Sequence, residues 1–229
     1  GKSMTAAALM RLLPEDATVT AGDVRLDEES LLDLTESKMC RRRGRRIAMV
    51  FQEASGSLNP VMTVGDQIEE VLRLNTGLNG GERRAEVVRW LTRVGIPEPE
   101  KRIGAYPMEL SGGQKQRILI AMALAGNPDV VIADEPTTAL DVTLQAQVMT
   151  LLKDLQRERG TALLLITHDL AVVKQYADRV ALMYAGEIVE TASCRDFFAS
   201  PRHPYARGLL AAVPTREKRG AALAGIPWR

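Results

Sequence analysis

Cysteine is nearly absent: the 229 residues contain two, Cys40 and Cys194, far apart and without metal-ligand spacing. This excludes a disulfide framework and a thiolate zinc site, and makes a reducing cytoplasm the default compartment. Aromatic residues make up only 4% of the chain, and neither sign of charge dominates, with 30 Lys and Arg against 29 Asp and Glu. A net charge of +1 supplies no field that would draw the chain to nucleic acid or a membrane surface. No apolar run approaches the roughly 18 residues of a membrane span. The most apolar segment, 118–125, is less than half that length and reads as a buried helix. Secretory and transit segments, internal repeats and low-complexity tracts are also missing from the sequence. What remains is a globular composition, 45% hydrophobic and 26% charged, long enough for one sizeable core with or without a satellite subdomain.

Against that background two motifs stand out. Leu110-Ser111-Gly112-Gly113-Gln114 places a helix N-cap serine before two glycines. There, backbone N–H groups at the positive end of a helix running to Ala125 are open to a phosphate. About twenty residues on, Val130-Val131-Ile132-Ala133 reads as a strand buried on both faces, with Asp134 and Glu135 emerging at its carboxyl end. Adjacent acids there divide the labour of magnesium ligation, by Asp134, and water activation, by Glu135. Gln52 and His168 finish two further predicted strands, 47–51 and 161–167, on the same expected edge. Gly1-Lys2-Ser3 heads a predicted helix over 4–13 stopped by Pro14, in the manner of the last residues of a phosphate-binding loop.

The rest of the chain is organised around these points. A polar, β-prone stretch covers 18–26, and the run Arg41-Arg42-Arg43-Gly44-Arg45-Arg46 reads as a solvated connector. Amphipathic helices punctuated by glycine and proline fill 57–110. A helix over 142–159 capped by Gly160 and a strand pair over 179–184 and 187–190 complete the pattern. One nucleotide held by both Lys2 and Ser111 requires clamps on opposite faces, which two chains arranged head to tail supply.

Together these residues resemble an ABC-transporter ATPase subunit: Gly1-Lys2-Ser3 is similar to the end of Walker A and Gln52 to the Q-loop. Leu110 to Gln114 is similar to the ABC signature, Val130 to Glu135 to Walker B with its catalytic glutamate, Ala139-Leu140-Asp141 to the D-loop and His168 to the H-loop. The resemblance implies an α/β, P-loop NTPase (RecA-like) core with an inserted helical subdomain. It assigns residues 1–56 to the first part of the core, 57–117 to the helical subdomain with the signature at its end, 118–195 to the second part of the core, and 196–229 to a C-terminal extension. It further implies ATP and Mg2+ as ligands. Gly1, Lys2, Ser3, Ser111, Gly112, Gly113, Gln114 and Asp141 contact the nucleotide, Ser3, Gln52 and Asp134 the metal, and Glu135, His168 and Gln52 the reaction.

Gln52 to Gly65 and the Arg202-His203-Pro204-Tyr205 segment resemble the oligopeptide, dipeptide and nickel importer branch. The implied partners are transmembrane permease subunits, a second ATP-binding subunit in a homo- or heterodimer and, indirectly, a solute-binding protein, at the cytoplasmic face of the inner membrane. No nucleic acid is implied. A socket for the permease is expected in the exposed loop around Pro60, with Leu58 and Met62 as its accessible positions. His203-Pro204-Tyr205 also has a plain structural account as a capping turn before a helix. The alternatives are a soluble ABC ATPase acting on DNA or ribosomes and a non-hydrolytic regulatory module. The first calls for heptad arms, zinc cysteines or a basic linker, and the intact Glu135 and His168 count against the second. Because the upstream phosphate-loop glycines and an adenine-stacking aromatic are not in the sequence, the 229 residues alone are expected to be inactive.

Overall fold

A computed structural model describes residues 1–212 apart from Glu53 and Ala139; the end of the C-terminal extension, 213–229, lies outside the described residues. The chain divides into two compact units, Ala6–Ile166 and Gly1–Thr5 with the segment from Thr167 onward.

Helix α1 (Lys2–Leu9) is shorter than the sequence predicts. It stops well before Pro14 because Arg11 adopts a left-handed conformation, φ 51°. Leu12 N–H then returns to Ala7 C=O and Arg11 N–H to Ala8 C=O, the paired bonds that close a helix end. The Arg11 guanidinium holds this unusual non-glycine cap by donating to the carbonyls of Leu31 and Leu34. The β-prone stretch yields only β1 (Arg25–Leu26), paired antiparallel with β2 (Glu29–Ser30).

Helix α2 (Glu36–Arg42) carries the first two arginines of the run, Arg41 and Arg42, and the run as a whole is not a solvated connector. Arg42 makes a two-pronged contact with Glu29, at 2.7 and 2.8 Å, and its guanidinium holds that carboxyl below the ordinary carboxylate range. Arg43 donates to the carbonyls of Met10 and Arg11 and pairs with Glu36, and Arg46 bridges Asp27 and Asp129. These arginines tie α2 to the chain on either side, which composition by itself does not reveal.

The next elements are β3 (Ile47–Val50), α3 (Ala54–Ser57), α4 (Val64–Asn75), α5 (Gly80–Arg93) and α6 (Pro99–Arg102). Then come a 3-10 turn (Pro107–Glu109), α7 (Gly112–Ala125), β4 (Val130–Asp134), α8 (Val142–Arg159) and β5 (Ala162–Ile166). Strands β3, β4 and β5 form a parallel sheet in that order, with Val50 opposite Ala133 and Asp134 opposite Ile166. Val131, Ile132 and Ala133 of β4 are all buried, as a central parallel strand covered on both faces must be. Helix α8 follows its predicted span and ends at Gly160, whose φ of 68° a residue with a side chain rarely adopts.

Two cores flank the sheet. The larger joins Ala48, Val50, Val131 and Ala133 to α4, α5, α7 and α8 through Ile68, Trp90, Ile118, Ile120 and Leu152. The smaller packs Ala6, Met10, Leu31 and Met39 against Ile47, Ile132 and Ile166. The turn after α7 is drawn in closely: a side chain at Gly126 would lie 2.0 Å from the Gly44 carbonyl oxygen, so only glycine fits.

In the other unit, α9 (Leu170–Tyr176) leads to β6 (Arg179–Tyr184) and β7 (Glu187–Ser193), an antiparallel pair turned by Ala185 and Gly186, both at positive φ. Helices α10 (Cys194–Ala199) and α11 (Pro204–Ala212) follow. Glu190 of β7 is buried and accepts the backbone N–H groups of Arg202 and His203 at 3.0 and 2.8 Å. His203 then caps α11, its Nδ1 accepting from Tyr205 N–H, with Pro204 at the first helical position and Tyr205 packed on Tyr184 at 4.4 Å. The His-Pro-Tyr segment is therefore a built helix start anchored by one carboxylate.

The two backbone hydrogen bonds keep the Glu190 carboxyl below the ordinary range. A group whose folded pKa is depressed adds stability above its unfolded value and loses it as pH falls through the folded value. Glu190→Ala, which takes the acceptor from two part-buried backbone donors, is expected to cost about 1–2 kcal/mol at neutral pH. Denaturant titrations at pH 7 and near pH 3 check both statements: the gap between wild type and variant should narrow at the lower pH.

Candidate functional site

The carboxyl edge of the parallel sheet collects the chemistry-bearing residues of the larger unit. β3 and β4 leave it together: Gln52 follows Val50 by two residues and Glu135 follows Ala133 by two, and Val50 and Ala133 are register partners. Gln52 is exposed. Asp134, the last residue of β4, is only 3% exposed, and its Oδ1 is buried without a hydrogen-bond partner. An unpaired buried carboxylate oxygen is costly unless a cation or water completes it. That makes Asp134 a fitting donor for a hard divalent ion, which takes carboxylate oxygen together with water and substrate phosphate. Among the described residues no group of three or more His, Cys, Asp and Glu side chains is arranged to hold a metal by itself.

Glu135 is half-buried and left-handed, φ 46°. Its N–H extends the β4–β5 ladder to Ile166 C=O at 2.8 Å, and its own C=O accepts from Thr138 N–H at 3.1 Å across Pro136 and Thr137. Its Oε2 accepts the Thr138 hydroxyl at 2.9 Å. Thr138 lies between the paired acids and Ala139-Leu140-Asp141 and was given no role by the sequence; a hydroxyl three residues after the acid, across a proline, is the signal that could have found it.

Ser111 caps α7 as expected, in a reciprocal box: its Oγ accepts Gln114 N–H at 3.3 Å and its N–H donates to Gln114 Oε1 at 3.0 Å. The two glycines differ in purpose. A side chain at Gly112 would meet nothing within 4 Å, so this face is open to a ligand, whereas one at Gly113 would press on Leu144 of α8 at 3.3 Å. Gly113 is small for packing. Asp141 caps α8 by accepting Leu144 N–H at 2.9 Å, so Leu144 links the start of α7 to Asp141. Ala139, between these motifs, lies outside the described residues.

The other unit holds Gly1, Lys2, Ser3 and His168. Lys2 and Ser3 are exposed in the first turn of α1, where Gly1 C=O accepts the first helical bond from Thr5 N–H at 3.0 Å. His168 is exposed in a short turn two residues after the end of β5. Thr167 Oγ1 accepts Asp169 N–H on one side of it, and on the other Asp169 caps α9 through Ala171 and Val172.

The permease socket needs correction. Leu58 is 2% exposed and belongs to the larger core, so it is unavailable to a partner. Gln67 of α4, itself buried, grips this loop: Oε1 accepts Asn59 N–H at 2.9 Å, and Nε2 donates to the carbonyls of Asn59 and Met62. The rigid loop turns Val61 outward, 80% exposed. Bonds from Val64 N–H to Ala105 C=O and from Gly65 N–H to Ile103 C=O join it to the segment bearing Tyr106 and Met108, the latter 78% exposed. Sequence pattern does not separate Leu58 from Val61, since both are apolar residues beside turn formers.

Comparison with known proteins follows the same lines. A family model described as ABC transporter matches residues 1–138, and one described as the oligopeptide/dipeptide transporter C-terminal region matches residues 189–227. The oligopeptide transport ATP-binding protein OppD of Bacillus subtilis is 49% identical over 99% of this chain and 65% of its own length. The dipeptide transport ATP-binding protein DppD of the same organism is 48% identical over 99% of this chain and 68% of its own. The chain thus spans about two thirds of the length of these curated relatives. Among solved structures, the ATP-binding cassette MJ0796, seen as a dimer in a post-hydrolysis state bound to ADP and Pi, superposes with a TM-score of 0.74. It is 32% identical in sequence, over 85% of this chain and 81% of that one.

Proposed function

The chain belongs to the ABC transporter family, and on that premise we propose that it is the ATP-hydrolysing subunit powering import of peptides, or of nickel or related small solutes, through a membrane permease. The observation that carries this reading is the pairing of Asp134, with an unsatisfied buried oxygen, and Glu135, turned left-handed beside it at the carboxyl edge of the sheet. Asp134 and Gln52 would hold Mg2+ at this edge, with Ser3 the further ligand that the phosphate-loop resemblance implies, and the ion would neutralise charge on the phosphates. Glu135 acts as general base on the attacking water. Lys2 serves the phosphates from the first turn of α1, and His168 contacts the γ-phosphate. Ser111, Gly112 and Gln114 at the start of α7, with Asp141, face the nucleotide of a second ATP-binding subunit, identical or related, in a head-to-tail pair.

The division into a core over 1–56 and 118–195, a helical subdomain over 57–117 and an extension from 196 belongs to the same proposal. Among the described residues no helix is long and apolar enough to cross a membrane; on this proposal the permease holds the chain at the cytoplasmic face. The solute-binding protein is met only indirectly. Movement of Gln52 with the state of the nucleotide reaches the loop before α4 over a short stretch of chain, provided the two arrangements differ in affinity for ATP.

The exposed Val61 and Met108 are the apolar surface a permease loop covers. Cysteine at Val61 in the full-length protein is expected to crosslink to a cytoplasmic loop of the permease, in a yield that changes between ATP-bound and nucleotide-free states, whereas cysteine at Leu58 stays unreactive. Crosslinks found only with soluble or nucleic-acid partners, or independent of nucleotide, overturn the transporter reading in favour of a soluble ABC ATPase.

A further inference from the structure

We propose that Thr138 is a positioning residue for hydrolysis: its hydroxyl, donating to Glu135 Oε2 across the proline turn, fixes the orientation of the carboxylate that acts on water. The inference rests on the assignment of Glu135 as the base and names a second residue on which that base depends.

The backbone around Glu135 is fastened independently of the hydroxyl. Its N–H is bound to Ile166 C=O, its C=O to Thr138 N–H, and Pro136 at the second position of the turn is buried, with its φ set by the ring. A left-handed glutamate held this way marks a site where the surrounding structure over-determines the backbone. The side chain is a different matter, because a glutamate retains rotations beyond a fixed backbone. The 2.9 Å bond from Thr138 Oγ1 restrains its carboxylate. A carboxylate has about four lone-pair sites, so accepting one hydroxyl leaves it able to accept from water as well.

Thr138 is exposed, so packing offers little reason for a threonine there. Since the turn is closed by its N–H, a residue of the same shape without the hydroxyl keeps the turn and loses only the tie to Glu135. Thr137, its neighbour, plays another part: its C=O accepts Leu140 N–H at 3.2 Å and carries the chain toward Asp141.

The test uses the full-length protein assembled with its partner subunits. Thr138→Val is expected to lower kcat about tenfold with KM for ATP unchanged, the size of loss that follows when a reacting group is held less well. Thr138→Ser, which restores the donor, keeps turnover within about twofold of wild type. In a Glu135→Gln background, Thr138→Val adds no further loss, because the base it orients is already gone. Near-normal turnover of Thr138→Val, equal losses for Val and Ser, or an undiminished Val effect in the Glu135→Gln background each overturn the positioning role. Failure of the base assignment shows itself separately, as near-normal turnover of Glu135→Gln alone, and removes the positioning role with it.

Discussion

Glu135→Gln in the full-length protein is expected to retain ATP binding while turnover falls by roughly a hundredfold or more, within the range general-base removal produces. The substitution changes one atom of the side chain. Its N–H to Ile166 and its C=O from Thr138 persist, and the amide oxygen still accepts the Thr138 hydroxyl, so the turn after β4 keeps its shape. Asp134 is untouched, with its buried oxygen still available to a cation, and nothing on the binding side of the site is altered. What disappears is the capacity to take a proton from water. Single-turnover hydrolysis measured beside equilibrium ATP binding separates the two, and near-normal single-turnover rates overturn the base assignment.

Ser111→Arg is expected to abolish ATP-driven pairing and hydrolysis while binding of ATP to the chain's own Lys2 side survives. The open space beside Gly112 is where a phosphate carried by the second subunit would approach, and a long side chain at the cap fills it. The substitution also removes the N-cap bond to Gln114, a loss of about 0.5–2 kcal/mol, which must be told apart from a blocked site. Ser111→Asp makes that distinction. Aspartate caps a helix about as well as serine, so α7 stays intact, yet its charge repels phosphate. Sedimentation of the Glu135→Gln protein with ATP should show dimers for the parent and monomers for both variants. A dimer that survives either substitution removes the head-to-tail arrangement.

The strand end before Glu135 and the helix cap at Ser111 were legible because both are written in short, contiguous stretches of sequence. A buried apolar run ending in Asp134-Glu135 specifies a parallel strand and its carboxyl edge with no further information. Ser111-Gly112-Gly113-Gln114 specifies a cap and its box, because both partners lie within one helical turn. The same locality made α8 with its Gly160 cap, the β6–β7 turn at Ala185 and Gly186 and the helix start at His203-Pro204 readable in advance.

The residues that sequence left undecided are those whose partners lie far along the chain. Whether α1 ends at Pro14 or before it depended on Arg11 finding the carbonyls of Leu31 and Leu34. The arginine run became a set of fasteners only once Glu29, Glu36, Asp27 and Asp129 were brought to it. Gly113 and Gly112 look alike until Leu144 is placed beside one of them. Leu58, expected to be accessible, is buried and Val61 is exposed instead, because Gln67, from the following helix, grips the loop and sets which apolar side chain faces water.

By itself, then, the sequence determined the capped start of α7 and the position of the paired acids at a strand end, since these follow from backbone periodicity and from side chains within a turn of one another, while the α/β P-loop class came through the resemblance that those motifs carry. Tertiary structure alone decided which oxygen of Asp134 is left without a partner, that Thr138 reaches Glu135, and that Val61 rather than Leu58 is exposed in the loop before α4. Those properties are set by burial and by groups meeting across space, and no local pattern encodes them.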